Sequence, residues 1–396
     1  MAALRVIVIG GGVLGLSSAL HLAERGVFVT VIEAGAIGSG STGRSIGVVG
    51  MQHVTALDVD LRAYGARRIR EWTKHGLDFH AIGYLRLGRS AGDLALFEQS
   101  LGFQREAGIA SARLLDPAEM RHLVPDISTA GMEGGLFGPE DGFLDPHRFS
   151  SLLAEMVRTL GGSVRQGCRL LGAERRGSGY RLRTSSGPME CDAVVIAAGA
   201  WAERVARLFG HRLPIRPERH EAVTIRLPTP LPYLMPMVMD LVHGGGGTGL
   251  NFRHDRPGAL VAEIHSASGT TADLDAYDEQ IADDSKEHLA QLLLERLPGL
   301  EGAGFGRGWA GLYPESVDGR PFVGPFDGEP HLIAAAGAGG YGIQLAPAIG
   351  ALAADWLTEG CALIVPAAAA FRPSATRTGL PMTSASSSAA QPFRTM

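Results

Sequence analysis

The composition of the chain sets broad limits on its function. It has 396 residues, 45% of them hydrophobic and 19% charged, with a formal net charge of -5. This balance is typical of a globular protein, and without a basic block it gives no sign of nucleic-acid binding. The three cysteines, Cys168, Cys191 and Cys361, form no C-x-x-C pair. They predict neither a disulfide framework nor a zinc site, and they favour a cytoplasmic location.

The first predicted elements form a β-α-β unit. A short run rich in β-branched residues predicts a buried strand over 4–9, and a similar run predicts a second strand over 27–32. Between them, apolar residues at helical spacing predict a helix over 13–25, which Gly26 ends. Such a unit is the building block of a parallel sheet covered by helices.

Three glycines at the first strand–helix junction have the spacing G-x-G-x-x-G. Gly10 makes the tight turn, Gly12 lets the backbone approach a pyrophosphate, and Gly15 allows the helix to pack closely on the strand. Glu33, at the end of the second strand, is placed to accept hydrogen bonds from ribose hydroxyls. The motif therefore predicts a dinucleotide site, but it leaves open whether the ligand is a nicotinamide cofactor or a flavin.

The later elements alternate between two patterns. The segment 35–50 is a loop rich in glycine and hydroxyl groups, and 215–312 reads as antiparallel strands joined by hairpins. The run from Leu332 to Ala354 has no charged residue, but its glycines and Pro347 favour a strand, a loop and a helix over a membrane span. Further helices are predicted over 57–75, with its arginines on the solvent side, and over 93–108, 145–162 and 285–297.

Four stretches form a joint pattern that the glycine motif alone lacks. They read VIGGGVLGLSSALHLAERGVFVTVIE, GSGSTGRSIG, VVIAAGAWA, and GWAGLYPESVDGRPFVGP with the later LIAAAGAGGYGIQLAPAIG. Together they run through residues 4–358, and they resemble the D-amino-acid-oxidase/sarcosine-oxidase superfamily of FAD-dependent oxidoreductases, which includes glycine oxidase-like enzymes. The resemblance implies an α/β fold in which a Rossmann-like FAD-binding domain is interleaved with an antiparallel-sheet α+β substrate domain.

The predicted domain organisation is discontinuous. The FAD-binding domain comprises 1–80, 145–214 and 313–365, the substrate domain comprises 81–144 and 215–312, and 366–396 is a disordered tail rich in Ala, Ser, Thr and Pro.

The resemblance also implies the residues that hold FAD. The helix that starts near Gly342 would point its N-terminal amides at the flavin ring, where reduction places negative charge. The implied cofactor-binding residues are Gly10, Gly12, Val13, Leu14, Gly15, Glu33, Ala34, Ser41, Thr42, Arg44, Ser45, Leu170, Ala198, Gly199, Trp201, Gly337, Gly339, Gly340, Tyr341, Gly342 and Ile343.

Several positions depart from the family pattern. Gly50 stands where relatives have a substrate-binding arginine, Gln344 where they often have a lysine, and Tyr313 where the glycine oxidase-like branch has an arginine. These neutral residues indicate a substrate whose carboxylate is masked, or a different anchor, for which Arg253 is a candidate; the alternative is that Arg253 is a surface residue. The stretch GALVAEIHS lacks the lysine that helps some relatives react with O2, which favours a dehydrogenase over an oxidase.

The polar candidates for catalysis are His53, His265, Tyr313, Tyr341 and Gln344. A neutral imidazole can take the proton of a substrate ammonium, although a structural role is the alternative for each histidine and tyrosine. No histidine pair has metal-ligand spacing, so no metal is expected. The late block WAGLYPES has no cysteine, so FAD is expected to be non-covalent, with His53 as the alternative attachment point.

The resemblance implies oxidation of a C–N bond in an amine or amino acid, N-methylated ones included, by hydride transfer to flavin N5, giving an imine. O2 or another acceptor then takes the electrons. One alternative is a flavin-carrying subunit of a hetero-oligomeric dehydrogenase, and a second is a nicotinamide-dependent dehydrogenase, which would not need the later glycine segments. Neither a nucleic acid nor a membrane span is expected.

Overall fold

The computed structural model describes residues 4–265, 269–270 and 273–378. The helices are α1 Val13–Glu24, α2 Ala56–Thr73, α3 Ala91–Glu106, α4 Pro117–Leu123, α5 Pro146–Thr159, α6 Ala202–Leu208, α7 Asp283–Arg296, α8 Gly342–Thr358 and α9 Ala375–Thr378. Short 3₁₀ turns lie at Thr42–Arg44, Gly199–Trp201, Pro298–Leu300, Gly339–Tyr341 and Pro366–Phe371. The strands are β1 Arg5–Ile9, β2 Phe28–Ile32, β3 Val48–Val49, β4 Phe79–His80, β5 Tyr84–Gly88, β6 Arg113–Leu115, β7 Gly134–Gly138, β8 Gly142–Leu144, β9 Ser163–Arg165, β10 Leu170–Arg176, β11 Gly179–Thr184, β12 Gly187–Cys191, β13 Ala193–Ile196, β14 Ile215–Arg226, β15 Met237–Leu241, β16 Gly247–Arg256, β17 Ala259–Ile264, β18 Gly269–Thr270, β19 Gly304–Ser316, β20 Phe322–Phe326 and β21 Glu329–Ala336.

A mostly parallel sheet carries the glycine motif. Its strand order is β20-β21-β13-β1-β2-β9, and only β20 pairs antiparallel. Both faces are covered, which explains the uninterrupted apolar strands. Helices α1, α5 and α8 pack on one face, and α6 with the small sheet β10-β11-β12 packs on the other. This is the predicted Rossmann-like arrangement.

A larger, mainly antiparallel sheet forms the second layer. Its order is β18-β14-β17-β16-β15-β5-β7-β6, with β19 also paired to β14, and only β5 and β15 run parallel. Leu85 and Leu87 face a core shared with α4 and α7, whereas the alternate residues Tyr84 and Arg86 face the opposite side. This face of the sheet thus carries polar side chains, which line a cavity. The antiparallel sheet is the second part that the predicted α/β fold contains. A further small sheet, β3-β8-β4, completes the fold.

Local signals in the sequence account for several elements. Asp145 caps α5 by accepting from the backbone N–H groups of His147 and Arg148, as its position before Pro146 predicts. The long uncharged run becomes β21, the glycine turn and α8. In the part of the chain that the structure describes, no helix has both the length and the apolarity needed to cross a membrane.

Residues 366–378 were predicted to be part of a disordered tail, but the structure shows them folded against the rest of the chain. Phe371 is 2% exposed, and Arg377 forms an ion pair with Asp318 at 2.8 Å. This segment therefore packs on the β19–β20 connection. Its composition, rich in Ala and Thr, gave no signal of this packing. The rest of the predicted tail, 379–396, lies outside the described residues.

Candidate functional site

A cavity of about 680 Å³ lies at the carboxyl ends of β1, β2 and β13. This is the edge at which open parallel sheets bind ligands. It brings together segments that are far apart in sequence. The predicted cofactor residues that line it are Gly10, Gly12, Val13, Leu14, Glu33, Ala34, Ser41, Thr42, Arg44, Ser45, Leu170, Ala198, Gly199, Trp201, Gly339, Gly340, Gly342 and Ile343.

Three of the predicted residues do not line this cavity. A Cβ on Gly15 would lie 2.0 Å from the carbonyl oxygen of Gly10, so Gly15 serves the close helix–strand contact that was expected of it. Gly337 lies behind the loop, beside Ser316, and Tyr341 faces a second cavity described below.

Two helix N-termini open on the large cavity. Helices α1 and α8 begin after Gly12 and Tyr341, and neither cap residue makes a side-chain hydrogen bond to its helix. In α1 the first N–H, that of Val13, donates to Thr42 Oγ1. The N–H groups that follow it, those at the start of α8 and both positive dipole ends can interact with anionic groups. A Cβ on Gly12 would meet only Thr42 Oγ1, at 3.2 Å, and a Cβ on Gly342 would meet nothing within 4 Å. The missing side chains leave room where a pyrophosphate and a ring edge would lie, so the residues fit FAD.

Glu33 lies at the edge of this cavity in a fixed orientation. Its carboxylate accepts from the backbone N–H groups of Gly11 and Gly35, each at 2.7 Å. A carboxylate can accept about four hydrogen bonds, so acceptor positions remain for ribose hydroxyls.

The hydroxyl-rich loop over 35–50 forms hydrogen bonds and an ion pair with other segments of the chain. Ser41 Oγ donates to the carbonyl of Leu312 at 2.6 Å, and Thr42 Oγ1 accepts from the N–H of Val13 at 3.2 Å. The Arg44 guanidinium pairs with Glu279. The contact of Arg44 with the second phosphate of the cofactor therefore stays a prediction.

A second cavity, of about 40 Å³, adjoins the first and is called here the inner cavity. The two share Ser45, Tyr313 and Gly340 in their walls. The inner cavity is lined by Ser45, Ile46, Val48, Gly50, Gln52, Arg62, Tyr84, Arg86, Met239, His243, Asn251, Glu263, His265, Tyr313, Gly340, Tyr341 and Gln344. Four of the five catalytic candidates thus lie around one space. The fifth, His53, lies one layer behind, with its ring centroid 4.8 Å from that of His243. It lines neither cavity, which disfavours a covalent link from His53 to the flavin.

Tyr341 lies between two histidines. Its hydroxyl is 3.1 Å from Nε2 of His243 and 3.4 Å from Nε2 of His265. Burial lowers the pKa of His265 to about 3 and holds the pKa of His243 well below its ordinary value. Both imidazoles are therefore neutral near pH 7, and His265 is a poor acceptor for an ammonium proton.

Tyr313 forms the wall between the cavities. His220 stacks on its ring, with 3.8 Å between centroids and 16° between the planes. On the other side the backbone of Gly340 approaches so closely that a Cβ there would lie 2.3 Å from the ring carbon Cε2. The aromatic ring is thus clamped in place, which supports a positioning role for Tyr313.

The neutral residues at the family's arginine and lysine positions have a structural reason. A Cβ on Gly50 would lie 2.6 Å from Cδ1 of Tyr84, so no side chain fits there. The side chain of Gln344 is held in turn, because its Oε1 accepts from the N–H of Gly50 at 2.8 Å. An anchor for a substrate anion must therefore come from another element.

The charged residues that line the inner cavity were not identified from the sequence. Arg62 was expected on the solvent side of α2, but it is 3% exposed and pairs with Asp58 at 2.9 Å. Arg86 and Glu263 are isolated charges within apolar strands, YLRLG and ALVAEI, and that isolation was the available signal.

Arg253 matches neither expectation made for it. It is 6% exposed, donates to the carbonyls of Ile46 and His254, and lies over the ring of Phe143 at 3.7 Å from the centroid. It lines neither cavity. Across residues 4–265, 269–270 and 273–378, no group of three or more His, Cys, Asp or Glu side chains could hold a metal ion.

Comparison with known proteins decides the family. The DAO family model, described as FAD dependent oxidoreductase, matches residues 5–356. The chain belongs to this family. As a DAO-family protein it is an FAD-dependent amine or amino-acid oxidoreductase. The larger cavity is its candidate cofactor site, and the inner cavity is its candidate substrate site.

Two glycine oxidases are among the relatives of this DAO-family chain. One, from Geobacillus kaustophilus, is 27% identical over 88% of this chain and 92% of its own length. The other, from Pseudomonas putida, is 29% identical over 92% and 97%. Among solved structures, L-proline dehydrogenase from P. horikoshii has a TM-score of 0.85 at 26% identity, covering 94% of this chain and 97% of that one.

Proposed function

We propose that this protein oxidises the C–N bond of a small amine or amino acid held in the inner cavity, giving an imine. The observation that carries the proposal is the shared wall between the two cavities, formed by Ser45, Tyr313 and Gly340. A substrate in the inner cavity lies directly beside the cofactor site. The relatives named for oxidation of glycine and dehydrogenation of proline support an amino acid as substrate.

The chemistry divides between cofactor and protein. When bound, FAD accepts a hydride at its N5 position. The carbon next to the substrate nitrogen loses that hydride, the nitrogen electron pair forms the C=N bond, and water then hydrolyses the imine. The protein orients the substrate and excludes water from a cavity of only about 40 Å³.

The residue that accepts the ammonium proton of the substrate should have a pKa near the working pH. The nitrogen must be neutral before the hydride leaves, so its ammonium proton needs an acceptor. Burial raises the pKa of Glu263 to about 7, whereas that of His265 lies near 3. A group whose pKa is near the working pH is the better acceptor, which favours Glu263. Tyr341 and His265 then act as neutral hydrogen-bonding groups.

The electron acceptor is proposed to be a partner other than O2. The chain has two lysines, Lys74 and Lys286, and neither lines the large cavity or the inner cavity. The likeness to L-proline dehydrogenase supports the same view. A flavin-carrying subunit that passes electrons to a partner chain is the second candidate on this ground.

An anaerobic screen tests the proposal. The FAD-loaded protein is mixed without oxygen with glycine, sarcosine, dimethylglycine, L-proline and simple amines, and absorbance near about 450 nm is followed. We expect bleaching by at least one amino acid, and slow recovery in air. The absence of bleaching by every amine would contradict the proposed function, and fast recovery in air would contradict only the proposed acceptor.

A further inference from the structure

A row of polar side chains crosses the sheet face above the inner cavity. The strand registers place Arg86 opposite Met239, Met239 opposite Asn251, and Asn251 opposite Glu263. Directly paired residues point to the same side of a sheet. All four residues line the inner cavity. The Cα atoms of Arg86 and Glu263 lie about 14 Å apart, which is three strand spacings of roughly 4.8 Å.

Arg86 is a buried cation without a matching anion. It is 6% exposed. Among the described residues no carboxylate lies within ion-pair distance of it, and Asp141 is a buried carboxyl near enough for the two charges to interact. Its guanidinium is oriented by Nη1, which donates to the carbonyl of Leu241 at 2.6 Å, and by Nη2, which donates to the Tyr84 hydroxyl at 3.1 Å. Because a guanidinium has five N–H donors, some remain for a ligand. Burying an unpaired charge is costly, so such a group is retained for an anionic ligand.

The other end of the row is acidic. Glu263 is 8% exposed and accepts from Asn251 Nδ2 at 2.9 Å, and within the described part of the chain no cationic side chain forms an ion pair with it. Asn251 is 2% exposed, and its Oδ1 has no hydrogen-bond partner. A carboxylate and an unsatisfied amide oxygen are together suited to the N–H groups of an ammonium.

We propose that Arg86 and the Glu263–Asn251 pair recognise the two ends of a zwitterionic amino acid, Arg86 binding its free carboxylate and Glu263 with Asn251 binding its amine. The proposal rests on the proposed function and specifies its substrate class. The Arg86 guanidinium reaches the carbonyl of Leu241 on the neighbouring strand β15, two residues along that strand from Met239. Arg86 thus supplies the carboxylate anchor that Gly50, Gln344 and Tyr313 do not, and the substrate needs no masked carboxylate.

The two ends are tested separately with probes that carry one charge each. Acetate and methylammonium are titrated into the oxidised FAD-loaded protein, and the shift of the flavin spectrum gives each dissociation constant. Arg86→Gln should weaken acetate binding at least about tenfold, because it removes a charged hydrogen-bond donor, and should leave methylammonium binding unchanged or tighter. Glu263→Gln should do the reverse. Arg86→Lys should restore part of the acetate affinity.

Matched controls separate recognition from structural damage. Arg253→Lys changes a buried arginine of the same sheet but keeps its charge, and Asp355→Asn changes a buried carboxyl that pairs with Arg25 at 2.5 Å; neither residue lines the inner cavity. Both controls should leave both probe affinities within about twofold. The proposal is wrong if the wild-type protein binds neither probe, if Arg86→Gln and Glu263→Gln weaken both probes alike, or if the controls behave as the test variants do. An amine that bleaches the flavin in any of these cases leaves the proposed function intact.

Discussion

Gly12 and Gly15 belong to one motif, but changing each to alanine should have a different effect. Gly12→Ala should weaken FAD binding, and Gly15→Ala should destabilise the fold. At Gly15 the added Cβ would lie 2.0 Å from the Gly10 oxygen and 3.2 Å from Cβ of Ala197. An ordinary carbon–oxygen contact is roughly 3.2 Å or more, so the backbone must move by about 1 Å. Overpacking of this kind costs about 3 kcal/mol. At Gly12 the only close atom is Thr42 Oγ1, at 3.2 Å, so the cost to folding should be below about 1 kcal/mol.

Cofactor content and thermal unfolding together distinguish the two glycines. Gly12→Ala should fold with near wild-type stability but hold FAD at least about 100-fold more weakly, since its methyl group enters the space in front of α1. Gly15→Ala should lower the melting temperature by at least about 5 °C and lose FAD only through unfolding. Full FAD occupancy in Gly12→Ala, or wild-type stability in Gly15→Ala, would refute this division of roles.

Three further predictions follow from the inner cavity. Gln344→Ala removes the acceptor for the Gly50 N–H, so amine kinetics should change by at least about tenfold while FAD content stays full, and unchanged kinetics would remove Gln344 from the site. Tyr341→Phe removes the hydroxyl between His243 and His265, which should slow bleaching severalfold without loss of FAD; an unaltered rate would assign Tyr341 a packing role. Glu263→Gln should reduce the pH dependence of stability, measured as melting temperatures at about pH 5 and pH 8.

The sign of this pH effect follows from the raised pKa of Glu263. Burial raises it from 4.5 to about 7, against smaller opposing effects of Asn251 and Arg253. The unfolded chain therefore releases the proton first, and stability falls as the pH rises from about 4.5 to about 7. The shift corresponds to about 3 kcal/mol, which the wild type should lose over that range and Glu263→Gln should not. The other charged or titratable groups that line the cavity are Arg62, Tyr84, Arg86, His243, His265, Tyr313 and Tyr341. Arg253 acts on Glu263 from outside the cavity, and the substitution leaves all of these groups in place. An identical pH profile in both proteins would contradict the assignment.

The cofactor side of the molecule could be predicted because its signals are local. One β-α-β unit contains the glycines, the flanking strand and helix, and Glu33 at its end. Their spacing along the sequence was therefore enough to predict their relative positions. The short helix α4 was missed, although Asp116 and Glu119 form a complete capping box before it. That signal was present but spans only seven residues of helix.

The substrate side depended on long-range register, which spacing does not contain. Arg86, Asn251 and Glu263 line one cavity only because β5, β15, β16 and β17 are neighbours with one particular alignment. A shift of one residue in any pair would turn a side chain to the other face. The sequence therefore located the histidines and tyrosines of the late motifs but not the charges facing them.

The claim that this protein transfers hydride from the carbon next to the substrate nitrogen can be tested by one rate measurement. The amino acid that bleaches the flavin fastest is compared, in anaerobic single-turnover mixing, with the same compound deuterated at that carbon. Breaking the C–H bond in the oxidation step predicts bleaching about threefold or more slower with deuterium. Equal rates, with substrate binding shown to be faster than bleaching, would contradict the account.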